Sequence, residues 1–286
     1  MRRKVFIASL ILLLAAIPLR TSRGPLAAEP TPAFTVLPPV PSAPGAQSQS
    51  PQTPAAQSPG PPPRSIAPRA EKLLNEMCQT VGAANAFSFH AEVMFEEVLP
   101  ADVKVQFAGA MDFAVQRPNE IAVDYRSDLG AKRFWYSGDI ATIFDPIHMV
   151  YASVPVPPTI DGMMDRAAEH HLTFPLADLA QSDPCRPLRG FNYGGYVGVN
   201  DVNGADTDHI AFSSPNMDLQ LWLSRAGKPV PLKVLINYRS EPASPEYIAI
   251  LSHWRFPDRI PASHFKPLLP KSAKRIEFLQ IKEPQP

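Results

Sequence analysis

The sequence predicts an α+β fold: a long twisted antiparallel sheet forming a half-open barrel, covered by an N-terminal helix and an inserted helical lid. Three observations carry this expectation. From Phe87 onward apolar and polar residues alternate with a period of two, the signature of strands with one face buried. An amphipathic stretch, Arg69 to Val81, stands ahead of them, and a second helical stretch interrupts them after a cluster of prolines. Such strands need their apolar faces covered, and a sheet that curls under helices covers them.

The elements follow in order. Leu73, Leu74, Met77 and Cys78 share one stripe of the first helix, and Gly82 ends it. Phe87, Phe89, Ala91, Val93 and Phe95 alternate with polar residues, as do Val103, Val105, Phe107, Gly109, Met111, Phe113 and Val115, with Leu99-Pro100-Ala101-Asp102 between them as a hairpin turn. Strands at 120–127, 132–136, 140–145 and 149–154 are separated by Asp128-Leu129-Gly130, Ser137-Gly138-Asp139 and Asp145-Pro146, which makes an antiparallel meander. Pro155, Pro157 and Pro158 stop it. Thr159 to His171 reads as the inserted helix, with Ile160, Met163, Met164 and Ala167 on one side, and Pro175 to Asp183 as a short third helix. Strands resume at 193–202, 206–213, 218–223, 232–238 and 247–255, with a last short one at 275–281.

The part ahead of the helix has a different chemistry. Arg2-Arg3-Lys4 followed by an apolar run from Val5 to Ile17 is a secretory signal, too short for a comfortable membrane-spanning helix. The expected organisation is a signal peptide at 1–28, a Pro-rich disordered linker at 29–68 and one domain at 69–286. Leu26-Ala27-Ala28 is a weak cleavage site, so an uncleaved anchor stays open beside a soluble mature protein. Contact with the membrane is then either transient or through that anchor. Extended as polyproline II, the linker could reach on the order of 100 Å. Residues 1–28 hold five basic side chains and no acids; removing them leaves 22 basic against 27 acidic residues. An acidic domain without a basic patch excludes nucleic acid as a partner. Two cysteines in an exported chain allow one disulfide, Cys78–Cys185. A cysteine on a helix stripe is more often simply core, and the sequence favours two buried thiols.

Several short motifs come in a recognisable order: Phe87-Ser88-Phe89-His90-Ala91-Glu92, Arg117-Pro118, Tyr136-Ser137-Gly138, Tyr151-Ala152-Ser153-Val154-Pro155, Pro175-Leu176-Ala177-Asp178-Leu179 and Asp208-His209-Ile210-Ala211-Phe212. The series resembles a family of predicted periplasmic bacterial proteins, a domain of unknown function, over about residues 69–280. That family is similar in architecture to lipoprotein carriers of the LolA/LolB type. The resemblance implies a LolA-like half-barrel, a periplasmic location, and a lipid or lipoprotein acyl chain as partner. It supplies no residue set to carry over.

Large side chains on the strand faces and the inserted helix would line such a site: Phe89, Phe95, Phe107, Met111, Phe113, Tyr125, Phe134, Tyr136 and Phe144, with Met163 and Met164 adding adaptable surface. Aromatics at strand spacing also fill solid cores, and more often do. No catalytic motif, cofactor site or metal site is read. Glu169-His170-His171 sits at a helix end where adjacent histidines diverge, and neighbouring strand residues such as Asp208 and His209 face opposite ways. Enzyme activity, including a secreted hydrolase, is therefore not expected. The remaining alternative is a non-catalytic cell-envelope interaction module that docks a protein on a sheet edge.

Overall fold

The computed structural model describes residues 64–169 and 174–277. The expected signal peptide and almost all of the expected linker lie outside them, as do His170, His171 and the residues beyond 277. Within the span expected as linker, Ser65–Ile66 form a strand, β1, held parallel to the sheet by backbone bonds from Ser65 and Ala67.

Helix α1 (Pro68–Gly82) starts with proline in its first turn, where a missing N–H costs nothing, and with Glu71 near its positive end. Its buried residues, Ala70, Leu74, Met77, Cys78 and Val81, recur at three and four spacing. The strands are β2 (Ala86–Leu99), β3 (Val103–Gln116), β4 (Glu120–Ser127), β5 (Gly130–Ser137), β6 (Ile140–Asp145), β7 (Val150–Pro155), β8 (Tyr193–Val202), β9 (Ala205–Ser213), β10 (Asp218–Ser224), β11 (Pro231–Asn237), β12 (Glu246–Arg255) and β13 (Lys274–Arg275). Helix α2 (Ile160–Glu169) lies between β7 and β8, and the predicted third helix is a single 3-10 turn at Ala177–Ala180.

All 13 strands among the described residues form one open sheet, in the order β1-β8-β9-β10-β11-β12-β2-β3-β4-β5-β6-β7-β13. The neighbours are antiparallel except at the two ends, where β1 on β8 and β13 on β7 run parallel. Residues from β2 to β6 and from β9 to β12 enter one apolar cluster with α1, α2 and the 177–180 turn. Strands so far apart in the order can share a core only because the sheet curls around it. We call this face the inner one.

The outer face carries a second, smaller cluster: Ala114, Ala122, Trp135, Phe144 and Phe265. The segment after β12 crosses this face, with Ile260 N–H donating to Gln116 Oε1 and Phe265 fully buried, before pairing as β13 with β7. Phe144 is therefore a correction. It was expected among the inner residues, but strand alternation turns it outward, beside Trp135 and Phe265.

Cys78 and Cys185 are the second correction. They are joined in a disulfide with their Cα atoms 5.7 Å apart. The loop at 182–189 folds against α1 and brings Cys185 to the helix stripe, a proximity across 107 residues that favours pairing over two free thiols.

Candidate functional site

The inner face of β3–β5 is laid out in register rows. One runs Phe89–Phe113–Val123–Phe134, and the next Ala91–Met111–Tyr125–Lys132. A third, nearer the β2–β3 turn, runs Ile236–Tyr247–Phe95–Phe107. Stacking closes the lower part of this surface: the Phe89 and Phe113 rings lie 5.0 Å apart and nearly parallel, with Trp254 4.7 Å from Phe89.

The expected lining residues divide into groups. Phe89, Phe95, Phe113, Tyr136 and Met164 are buried in the shared core. Tyr136 is also tied down, its hydroxyl donating to the Pro157 carbonyl at 2.9 Å, and burial, then the Asp139 charge, push its pKa up to about 12. Phe107, Met111, Tyr125, Phe134 and Met163 belong to the same face but are only half-buried. Val123, Leu129 and Phe174, not singled out from the sequence, join this half-buried set. Their signal was present in the register: Val123 sits between Phe113 and Phe134, and Leu129 is in the turn above Tyr125.

The upper margin of this surface is polar. Lys132 Nζ and Asp145 Oδ2 are 2.7 Å apart, both side chains largely buried. Asp145 also accepts the Ile147 and His148 backbone N–H groups at 2.9 Å, and its Oδ2 lies 2.7 Å from His148 Nδ1. Burial alone would raise the Asp145 pKa. The Lys132 and His148 bonds outweigh it and hold the carboxyl down at about 2.

Arg117 fastens the elements around the surface together. Its guanidinium donates to the carbonyls of Val81 and Ala84 at the end of α1, and to those of Leu179, Ala180 and Gln181 in the 3-10 turn. A rigid fork of five N–H donors suits this task as no other side chain does.

The histidines examined for chemistry have structural partners. His209 is bonded to Asn200 and Gln220 and stacks on Trp222 at 4.0 Å, while Asp208 instead engages Tyr196 and Arg225. His90, on the outer face, is held by Asp112 and Glu92, whose bonds raise its pKa. Among the described residues, no three of His, Cys, Asp and Glu are grouped so as to hold a metal ion. A concavity of about 350 Å³ lies between α1 and the 182–189 loop, with Ile66, Leu188, Phe212 and the disulfide in its wall.

No curated protein matches the sequence. Among solved structures, the chain is similar to the lipoprotein LppX of Mycobacterium tuberculosis, at 13% identity over 66% of this chain and 97% of that one, with a TM-score of 0.44. It is also similar to a LolA superfamily protein of Nitrosomonas europaea, at 10% identity over 69% and 97%, with a TM-score of 0.35. A third is the MucA/MucB complex of Pseudomonas aeruginosa, at 13% identity over 65% and 56%, with a TM-score of 0.36. A family model described as "predicted periplasmic protein" (DUF2092) matches residues 70–279, most of the chain. The protein therefore belongs to this periplasmic family of unknown function, as its leader and ordered motifs predict.

Proposed function

We propose that the protein binds the acyl chain of a lipid or lipoprotein on the inner face of β3–β5, with α2 acting as a lid over it. One observation carries the reading. Phe107, Met111, Val123, Tyr125, Leu129 and Phe134 occupy neighbouring positions on the core-facing side of the sheet, yet stay half-buried. A solid core would cover them as it covers Phe87, Val115 and Ile210. From Phe107 to Phe113 the strand spans about 20 Å, the length of a long extended acyl chain. Each methylene withdrawn from water there contributes about 0.8 kcal/mol. Met163 and Phe174 supply soft or broad surface at its margin. Binding rather than catalysis is the reading that fits His90 and His209, each held in structural bonds. The test is mass spectrometry of an organic extract of protein purified from the periplasm, with titration of a fluorescent acyl probe. Saturable binding that is lost in Phe134→Asp, with the fold intact by circular dichroism, is expected. A folded wild-type protein that carries no lipid and takes up no probe ends the proposal.

One observation favours a second reading, docking of a protein strand. Strand β8 is paired by β1 only at Tyr193 and Gly194, and beyond them Val197 and Val199 are 58% and 51% exposed. An apolar sheet edge of this kind accepts an added strand. In-cell cross-linking from residue 197 separates the two: a single discrete protein adduct supports docking, whereas lipid-loaded protein without one supports the carrier reading.

A further inference from the structure

The inner face contains polar atoms that the protein itself leaves without partners. The Tyr247 and Tyr125 hydroxyls are enclosed without a hydrogen bond of ordinary geometry, although the Ser127 side chain lies near Tyr125, and Tyr247 is only 3% exposed. A buried hydroxyl without a partner is costly, on the order of 1–3 kcal/mol. Two on one surface call for an explanation. Both rings belong to the apolar face just described. Tyr247 heads the row that continues through Phe95 to Phe107, and Tyr125 stands between Met111 and Lys132. Burial first pushes the Tyr247 hydroxyl well above its ordinary pKa, and the Tyr238 and Tyr125 hydroxyls push it in the same direction. Gln181, directly after the 177–180 turn, likewise leaves Oε1 enclosed and unpartnered, its amide N–H donating to Asp178 Oδ1 at 2.8 Å.

We infer that Tyr247 and Tyr125 form a polar subsite at the end of the apolar surface, which receives the oxygen of a neutral lipid, an ester or hydroxyl group as in an acylglycerol. This rests on the proposed acyl-chain site and specifies its ligand. Phenol O–H groups donate to an ester or alcohol oxygen. The charges around the subsite disfavour an anion: Asp178 lies beside Tyr238, and Lys132 is already neutralised by Asp145. Arg117 is engaged by five backbone carbonyls, and Arg186 pairs with Asp165. A free fatty acid or a phospholipid would thus bring a negative charge to a place that offers it no free cation among these residues.

The experiment is displacement of a fluorescent apolar dye from the full chain by monooleoylglycerol, oleic acid at neutral pH and octadecene, in wild type, Tyr247→Phe and Tyr125→Phe. Monooleoylglycerol is expected to bind most tightly. Each Phe variant should weaken it about fivefold, the loss of one neutral hydrogen bond, and leave octadecene unchanged. Unliganded Tyr247→Phe should melt no lower than wild type, because the deleted hydroxyl had no partner. If the Phe variants bind monooleoylglycerol as wild type does, water satisfies the phenols and the subsite is overturned. Tightest binding of oleic acid overturns the preference for a neutral lipid. Failure of all three probes, octadecene included, in folded protein overturns the acyl-chain site itself.

Discussion

Replacing Arg117 by alanine should be the most destabilising single change outside the apolar core. The side chain donates to five carbonyls, two at the end of α1 and three in the 179–181 turn, at 2.7–3.1 Å where the bonds are of ordinary length. A bond to a charged donor contributes about 1.5–3 kcal/mol, but exposed helix-end carbonyls recover water when it is removed. Counting two of the five as left dry gives a loss of about 3–6 kcal/mol. Arg117→Lys keeps the charge and three donors but loses the planar fork, and should cost about half as much. Urea denaturation with the disulfide intact measures both, and the midpoint should fall with an unchanged slope. Hydrogen exchange should quicken at 81–84 and 177–181 before it does in β2 or β12. A loss under about 1 kcal/mol for Arg117→Ala would refute the idea that one side chain holds α1 and the turn together.

Three further outcomes follow from the packing. Phe265→Ala should cost about 3–5 kcal/mol by opening the outer-face cluster, yet leave acyl-probe affinity unchanged, because Phe265 lies on the opposite side of the sheet; calorimetry and dye titration check the two halves. The Asp145 pKa is below its unfolded value of roughly 3.9, so its contribution is complete above that value. That contribution, about 2 kcal/mol, should fade as pH drops toward about 2, and Asp145→Asn should flatten the acid limb of the stability curve. Reducing Cys78–Cys185, whose cysteines are 107 residues apart, should lower stability by about 5 kcal/mol in a chain-entropy estimate; unfolded, unreduced protein should show no titratable thiol.

The strands were legible because most of them are half-buried, so that Phe87 to Phe95 alternate as clearly in the sequence as on the sheet. Where a strand is covered on both faces the alternation disappears. Ala141, Thr142 and Phe144 of β6 are all buried, and nothing local says which side Phe144 takes. Register turns it outward, and a segment about 120 residues later covers it there with Phe265, which lies in no periodic pattern. The disulfide was hidden for the same reason: the fold of the 182–189 loop against α1 makes the distance, not the spacing of two cysteines. Of the candidate site, the aromatic supply was readable and its coverage was not. Burial separates Phe113 from Phe134, which look alike in sequence, and only register brings Tyr247 alongside Phe95.

The crossing of the outer face by the segment after β12 also bears on when the protein can finish folding. Trp135, Phe144, Ala114 and Ala122 are covered only when Phe265 and its neighbours arrive, and β7 gains its outer partner only from residues 274–275. Emerging N-terminus first, the chain has all of its meander before it has the means to seal it. An apolar strip on the back of the sheet remains wet until nearly the whole polypeptide is available. Closure of this face therefore comes late in folding. The segment from Ile260 to Arg275 acts as a latch on the time of folding as well as on its stability.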